Sequence, residues 1–270
     1  MNSKELATVA AKIRYEALDA ITCAGTGHPG GSLSMADIIT VLYFDVMNVD
    51  PKHPDDPDRD RFVLSKGHAC PALYAALAER VFFDKKELKR LRHLDSFLQG
   101  HPDMKHTPGV DMSTGSLGQG ISAACGIALA ARLQKRSYRV YTVLGDGEID
   151  EGQVWEALMF AKHYKLSNLT VILDHNGLQI DGSNDEVMSV ANPVDRFESF
   201  GFNVIEIDGN DIDSLLASFS LARKCTDKPT LIVANTIKGK GVSFMENQVG
   251  WHGKAPSADE LAKAKEELGV

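Results

Sequence analysis

No two cysteines of this 270-residue chain stand in a C-x-x-C pair; Cys23, Cys70, Cys125 and Cys225 are scattered. That spacing excludes the common zinc sites and a disulfide framework. Four small apolar side chains, buried in a reducing compartment, are the expectation. No stretch approaches the roughly 18 uncharged apolar residues of a membrane-spanning helix. The opening Met1-Asn2-Ser3-Lys4-Glu5 leads into no apolar run, so no signal peptide is expected and a cytoplasmic location is the default. Positive charge is also short: 37 acidic residues face 29 Lys and Arg, for a net charge of −8. Such a chain is a poor non-specific ligand for nucleic acid or for an anionic membrane, and neither partner is expected.

What is present is ordinary for a globular protein, with 43% hydrophobic and 24% charged residues. The length suffices to bury a large core without disulfides or a structural metal. Asn2 and Glu5 form a capping-box pattern before a helix over 3–24, in which Leu6, Val9, Ala10, Ile13, Ala17 and Ile21 recur at helical spacing. A glycine-rich loop, Gly25 to Gly31, precedes a helix expected over 33–47. The proline-punctuated stretch 50–60 carries no regular structure, and 61–65 reads as a buried strand leading into a helix that ends near 81. Asp84 to Glu87 starts a short basic helix, while 99–118 shows no periodicity. Long unpatterned loops in compact domains are usually functional. From 119 onward helices (121–133, 152–164, 211–224) alternate with strands (138–144, 169–173, 203–207, 230–235), and a capped charged helix follows Ser257. Alternation of this kind predicts an α/β fold, a parallel sheet sandwiched by helices, in a single domain over 1–270.

Ligands of such folds bind beyond the carboxyl ends of the strands. There, after strand 138–144, stands Gly145-Asp146-Gly147-Glu148, and after strand 169–173 stands Asp174-His175-Asn176. Neither G-x-G-x-x-G nor a phosphate-binding G-K-[ST] loop follows the first of these strands. The 28 residues between Gly147 and Asn176 fit one helix plus one strand, which puts Asp146 and Asn176 on neighbouring strand ends. A carboxylate and an amide oxygen so placed suit a hard divalent cation with positions left open for substrate phosphates. Gly145 and Gly147 let backbone N–H groups approach phosphate oxygens. Of nine histidines, His28, His68, His101 and His252 sit beside glycine in loops, where groups can reach a ligand; His53, His93 and His163 read as structural, with His106 and His175 between the two classes.

The paired G-D-G and asparagine resemble the thiamine diphosphate signature, and the motifs in order resemble those of transketolase. They are Gly27-His-Pro-Gly30, Ser65-Lys-Gly-His68, Gly100-His-Pro102, Thr107-Pro-Gly109 and Gly115-Ser-Leu-Gly-Gln-Gly120. Gly145-Asp-Gly-Glu148, Glu151-Gly-Gln-Val-Trp-Glu156, Asn176 to Gly182 and Thr236 to Gly241 continue the series. The resemblance implies that Asp146, Asn176 and the Leu178 carbonyl hold Mg²⁺, with Ca²⁺ or Mn²⁺ as substitutes. It implies that His68, Gly115, Ser116, Leu117, Gly145, Asp146, Gly147, Glu148, Asn176 and Ile180 bind thiamine diphosphate. His28, His101 and His252 would face the substrate, and Glu151 would couple cofactor sites across a subunit interface.

The implied reaction breaks the C2–C3 bond of a ketose phosphate and passes a two-carbon ketol unit to an aldose phosphate, the thiazolium taking up the electron pair. Histidine suits the accompanying proton transfers near neutral pH. The family's activating glutamate and its usual sugar-phosphate-binding basic residues lie on a second domain. The chain therefore reads as the N-terminal subunit of a two-chain transketolase, with a C-terminal, pyrimidine-binding partner and two copies of each chain. Two other classes stand against it: a Rossmann-type nucleotide-binding oxidoreductase, and a non-catalytic transketolase-like subunit. The retained Asp146, Asn176, Glu151 and loop histidines argue against the last. The sugar pair is not written in the sequence.

Overall fold

The computed structural model describes all 270 residues. Helix α1 (Ser3–Ala24) starts on the reciprocal Asn2–Glu5 capping box and ends at Gly25, whose φ of 65° suits a residue without Cβ. The helical run expected over 33–47 starts earlier and is broken. Pro29 opens α2 (Pro29–Ser34), α3 (Ala36–Val41) follows, and a π turn over Leu42–Val46 closes the run. The break at Met35 has a tertiary cause: the Ser34 carbonyl accepts from the Asn210 side chain at 3.1 Å and leaves the helical ladder. Asp37, buried on α3, is bound by both guanidinium arms of Arg14 from α1, at 3.0 and 2.5 Å. The two helices are thereby fixed side by side.

Strand β1 (Arg61–Leu64) is followed by α4 (Cys70–Glu79), α5 (Gln119–Leu133), β2 (Val140–Gly145), α6 (Gly152–His163) and β3 (Leu169–His175). Two short helices that the sequence pattern does not announce, α7 (Asn184–Val187) and α8 (Pro193–Ser199), precede β4 (Asn203–Asp208), α9 (Ile212–Lys224), β5 (Thr230–Asn235) and α10 (Ala258–Leu268). The segment after Asp84 forms a 3₁₀ turn, Lys85–Arg90. Asp84 caps it through Lys86 N, but Glu87 pairs with Arg90 instead of closing a capping box. No helix or strand lies between Arg90 and Gln119.

All five strands are parallel, in the order β1-β2-β3-β5-β4. Alternation along β2 sends Tyr141 and Val143 to one face and Val140 and Leu144 to the other. The first face is covered by α1, α3, α4 and α9, the second by α5, α6 and α8. Two apolar layers on one sheet account for strands that are buried on both sides. Cys70 and Cys125 are buried as expected, whereas Cys23 is exposed and Cys225 half-buried, each on a polar helix end; all four are free thiols. No helix is long and apolar enough to cross a membrane.

Candidate functional site

Parallel pairing aligns Gly145 with Asp174, so the loops after β2 and β3 leave the sheet side by side. Asp146 is anchored there by the neighbouring loop. Its Oδ2 accepts from the amides of Asn176 (2.7 Å) and Gly177 (2.8 Å), and its Oδ1 meets His175 Nδ1 at 2.5 Å. This contact raises the His175 pKa, chiefly through the hydrogen bond to Asp146. The Leu178 carbonyl accepts from Lys238 Nζ at 3.3 Å, so it already faces a cation. A carboxylate, an amide and a carbonyl form an all-oxygen set that fits a hard divalent ion. No cluster of three or more His, Cys, Asp or Glu holds a metal by itself. The remaining ligands would have to come from the diphosphate and water.

Lys66, Lys238 and Asp174, which the sequence reading does not single out, join the expected Glu148 around this point. Lys66, just after β1, is almost fully buried and pairs with Asp174, and it donates to the Gly31 carbonyl at 3.0 Å. Asp174 also accepts from Ser34 (2.6 Å) and Thr236 (2.5 Å), which ties α2, β3 and the loop after β5 together. Burial, then the charge of Lys66, lowers the Lys238 pKa to about 8. Both ammonium groups line the cavity where a diphosphate would bring negative charge. Glu148 accepts from Ser65, Gly118 N (3.0 Å) and Gly145 N (3.2 Å), and burial raises its pKa. It is a brace between loops as well as a wall of the cavity. The same junction demands Gly120, where a Cβ would lie 2.6 Å from the Ser65 backbone.

His28, His68 and His252 form a triangle, with ring centroids 5.2, 5.4 and 5.5 Å apart. Lys238 Nζ stands 3.1 Å from His252 Nδ1. Burial first, then nearby cations, pushes the pKa of both His28 and His252 down to about 4; His68 and His101 are lowered for the same leading reason. The four imidazoles are neutral near pH 7 and can accept protons. Against an unfolded value of 6.5, the lowered pKa of His28 and His252 has a definite sign. Below that value the unfolded chain binds protons that the folded chain refuses, so stability is lost as pH falls toward 4. Urea midpoints should therefore drop less between pH 7 and pH 5 in a His28→Asn/His252→Asn double variant than in the wild type. Equal drops would contradict this.

A cavity of about 350 Å³ gathers most of the residues expected from sequence. His28, His68 and His252 line it together with Gly115 and Leu117. Gly145, Asp146, Gly147 and Glu148 line it as well, with Asn176, Leu178 and Ile180, joined by Lys66, Lys238 and Gln179. His101, Ser116 and Glu151 lie outside this wall. His101 is exposed, its ring 3.3 Å from where a Gly115 Cβ would stand; Glu151 is exposed at the start of α6. The one early G-x-G-x-x-G pattern, Gly25 to Gly30, joins α1 to α2 and follows no strand, unlike a dinucleotide loop.

Residues 6–270 match the family described as transketolase, thiamine diphosphate binding domain. The chain is 46% identical over 240 residues to the 6-deoxy-6-sulfo-D-fructose transketolase subunit SqwG of Clostridium sp. (strain MSTE9), covering 89% of this chain and 87% of that one. It is 40% identical to one subunit of the apulose-4-phosphate transketolase of Phocaeicola vulgatus, covering 95% of this chain and 91% of that one. Human transketolase is 45% identical over 92% of this chain, which spans only 40% of that protein. The crystal structure of Campylobacter jejuni transketolase superposes with a TM-score of 0.93 at 35% identity, covering all of this chain and 43% of that one. The chain belongs to the transketolase family and forms its thiamine diphosphate-binding domain.

Proposed function

We propose that this chain is the diphosphate-binding subunit of a two-chain, Mg²⁺-dependent transketolase that moves a two-carbon ketol unit from a ketose to an aldose. The observation that carries the reading is the joint placement of Asp146, Asn176 and the Leu178 carbonyl beside two lysines and three neutral histidines in one cavity. Relatives of matching length are transketolase subunits, which supports the need for a partner. Their names also specify sugars with a phosphate or a sulfonate, so a ketose with a terminal anionic group is the proposed donor class. Two copies of each chain are the proposed assembly, in the cytoplasm.

When bound, thiamine diphosphate supplies a thiazolium that accepts the electron pair released at the ketose carbonyl carbon. The chain's own groups do the rest. Asp146, Asn176 and Leu178 would hold the ion, and Lys66 and Lys238 would offset phosphate charge. His68, in the cavity wall with Lys66, would contact the cofactor. His28 and His252 would take and return protons at sugar oxygens, with His101 reaching in from the Gly115 side.

The direct test is a ketose-to-aldose transfer assay on the chain co-expressed with its partner, with and without thiamine diphosphate and Mg²⁺. No cofactor-dependent transfer would refute the reading. Within that assay His28→Ala, His101→Ala and His252→Ala should each cut turnover by roughly 10²–10⁴-fold, the usual contribution of general acid–base groups. Their thiamine diphosphate affinity should stay near wild type, whereas His68→Ala should lower affinity as well. Three variants with unchanged kcat and KM would place the substrate elsewhere.

A further inference from the structure

We propose that His175 restricts Asp146 to a single lone pair for the metal and so tunes the site toward a small octahedral ion, Mg²⁺, over Ca²⁺; the inference rests on the metal reading above. His175 is a positioning residue in this scheme, because it touches the ligand and not the ion.

Its place follows from the strand. His175 is the last residue of β3, paired with Asn235, and its carbonyl accepts from the Thr236 amide at 3.0 Å. Neighbouring residues of a strand point to opposite faces. Asp174 turns to Ser34, Thr236 and Lys66, and His175 turns to Asp146. A second cavity, of about 250 Å³, lies there; His175 and Asp146 line it together with Asp150, Gln179 and Asn184. The cofactor cavity has Asp146 in its wall but not His175. The imidazole therefore reaches the carboxylate from behind, away from the space that a diphosphate would fill.

The lone pairs can be counted. An ionised carboxylate offers about four acceptor sites. Both on Oδ2 are taken by the amides of Asn176 and Gly177, at 2.7 and 2.8 Å. His175 Nδ1 takes one on Oδ1, at 2.5 Å. A ring nitrogen that faces a carboxylate carries hydrogen, and Nδ1–H is present in one neutral tautomer and in the imidazolium alike. One lone pair, on Oδ1, is left for an ion. The Asp146 side chain is buried and pinned by three donors, so it can bind through one oxygen but not through two.

Ions differ in what they ask of such a ligand. Ca²⁺ takes more oxygens, at about 2.3–2.6 Å, and accepts carboxylates in bidentate fashion. Mg²⁺ demands a near-ideal octahedron at about 2.0–2.1 Å. A carboxylate limited to one oxygen suits the second and starves the first. Without the imidazole, a second acceptor site opens on Oδ1 and the carboxylate can tilt toward bidentate binding.

The experiment compares wild type, His175→Phe and His175→Asn, each assembled with the partner in excess thiamine diphosphate. Mg²⁺ and Ca²⁺ are titrated separately by calorimetry, and the heats of each ion into cofactor alone are subtracted. His175→Phe keeps the ring and removes the donor. It should raise the Mg²⁺ Kd by roughly ten- to a hundredfold, the usual cost of losing a hydrogen-bond partner of a metal ligand. The Ca²⁺ Kd should rise by less, so that relative affinity shifts toward Ca²⁺ by roughly tenfold. His175→Asn returns an N–H donor near the Nδ1 position and should recover most of the wild-type ratio. General loosening of the loop would raise both constants together and leave their ratio alone. An unchanged ratio in His175→Phe, or a ratio in His175→Asn shifted as far as in His175→Phe, would overturn the proposal while leaving the metal reading intact. A wild-type assembly that takes up neither ion would refute the metal reading, and this inference with it.

Discussion

Asp146→Ala should abolish Mg²⁺-dependent binding of thiamine diphosphate. The proposed ion has one charged protein ligand, and this substitution removes it. It also removes the acceptor for the amides of Asn176 and Gly177, at 2.7 and 2.8 Å. Those two bonds hold the turn that carries the other two ligands, so the loss extends beyond one oxygen. Removing one member of a buried charged pair costs about 3–5 kcal/mol. At about 1.4 kcal/mol per factor of ten, affinity should fall by roughly a hundredfold to a few thousandfold. Asn176→Ala removes one neutral oxygen and its 3.3 Å bond from Leu178 N, and should weaken binding by far less. Asp146→Asn keeps an acceptor for the two amides while losing the charge, which separates ligation from loop support. Calorimetry on the assembled enzyme, with cofactor and Mg²⁺, is the measurement. Wild-type affinity in Asp146→Ala would remove the ligand assignment and the site built on it.

The sheet and the side-by-side placement of Asp146 and Asn176 were legible because they follow from local rules. The apolar strand ending in Gly145 and the interval to Asn176 fix a βαβ unit, and parallel pairing then sets Gly145 beside Asp174. The lysines were not legible. Lys66 and Lys238 stand within family motifs, yet their partners lie 108 and 60 residues away, at Asp174 and Leu178. Residue type and periodicity report nothing about contacts of that range. The one available signal was a lysine directly after a buried strand, where a charged group has to find a partner or a ligand. The helix break at Met35 was hidden for the same reason, since Asn210 on a distant loop takes the Ser34 carbonyl. Helices α7 and α8 are short and start on local caps, Ser183 with Glu186 and Asn192 with Pro193, below the length at which periodicity shows. His175 was ambiguous because its role depends on a carboxylate 29 residues earlier.

The isolated chain should show no measurable ketol transfer, and adding the partner should restore it. The ground lies in the cavity wall itself. Deprotonation of the cofactor needs a free carboxyl group near its pyrimidine end, and the three carboxylates on the wall do not offer one. Asp146 is held by two amides and His175, and Glu148 by Ser65 and two further amides. Asp181 stands exposed at the rim, open to water rather than enclosed beside a bound ligand. The same rim carries Ile180 and Val187, 62% and 41% exposed, and α6, which Glu151 opens, leaves Met159 56% exposed. Apolar side chains around an open ligand cavity are the surface that an obligate interface covers. The assay is purification of the chain alone and co-expressed, followed by ketose-to-aldose transfer with thiamine diphosphate and Mg²⁺, and by the stoichiometry of the assembly. Equal numbers of both chains with activity in the complex alone are the expected result. Full activity from this chain by itself would require an activating acid within these 270 residues. Asp181 would then be the first position to substitute.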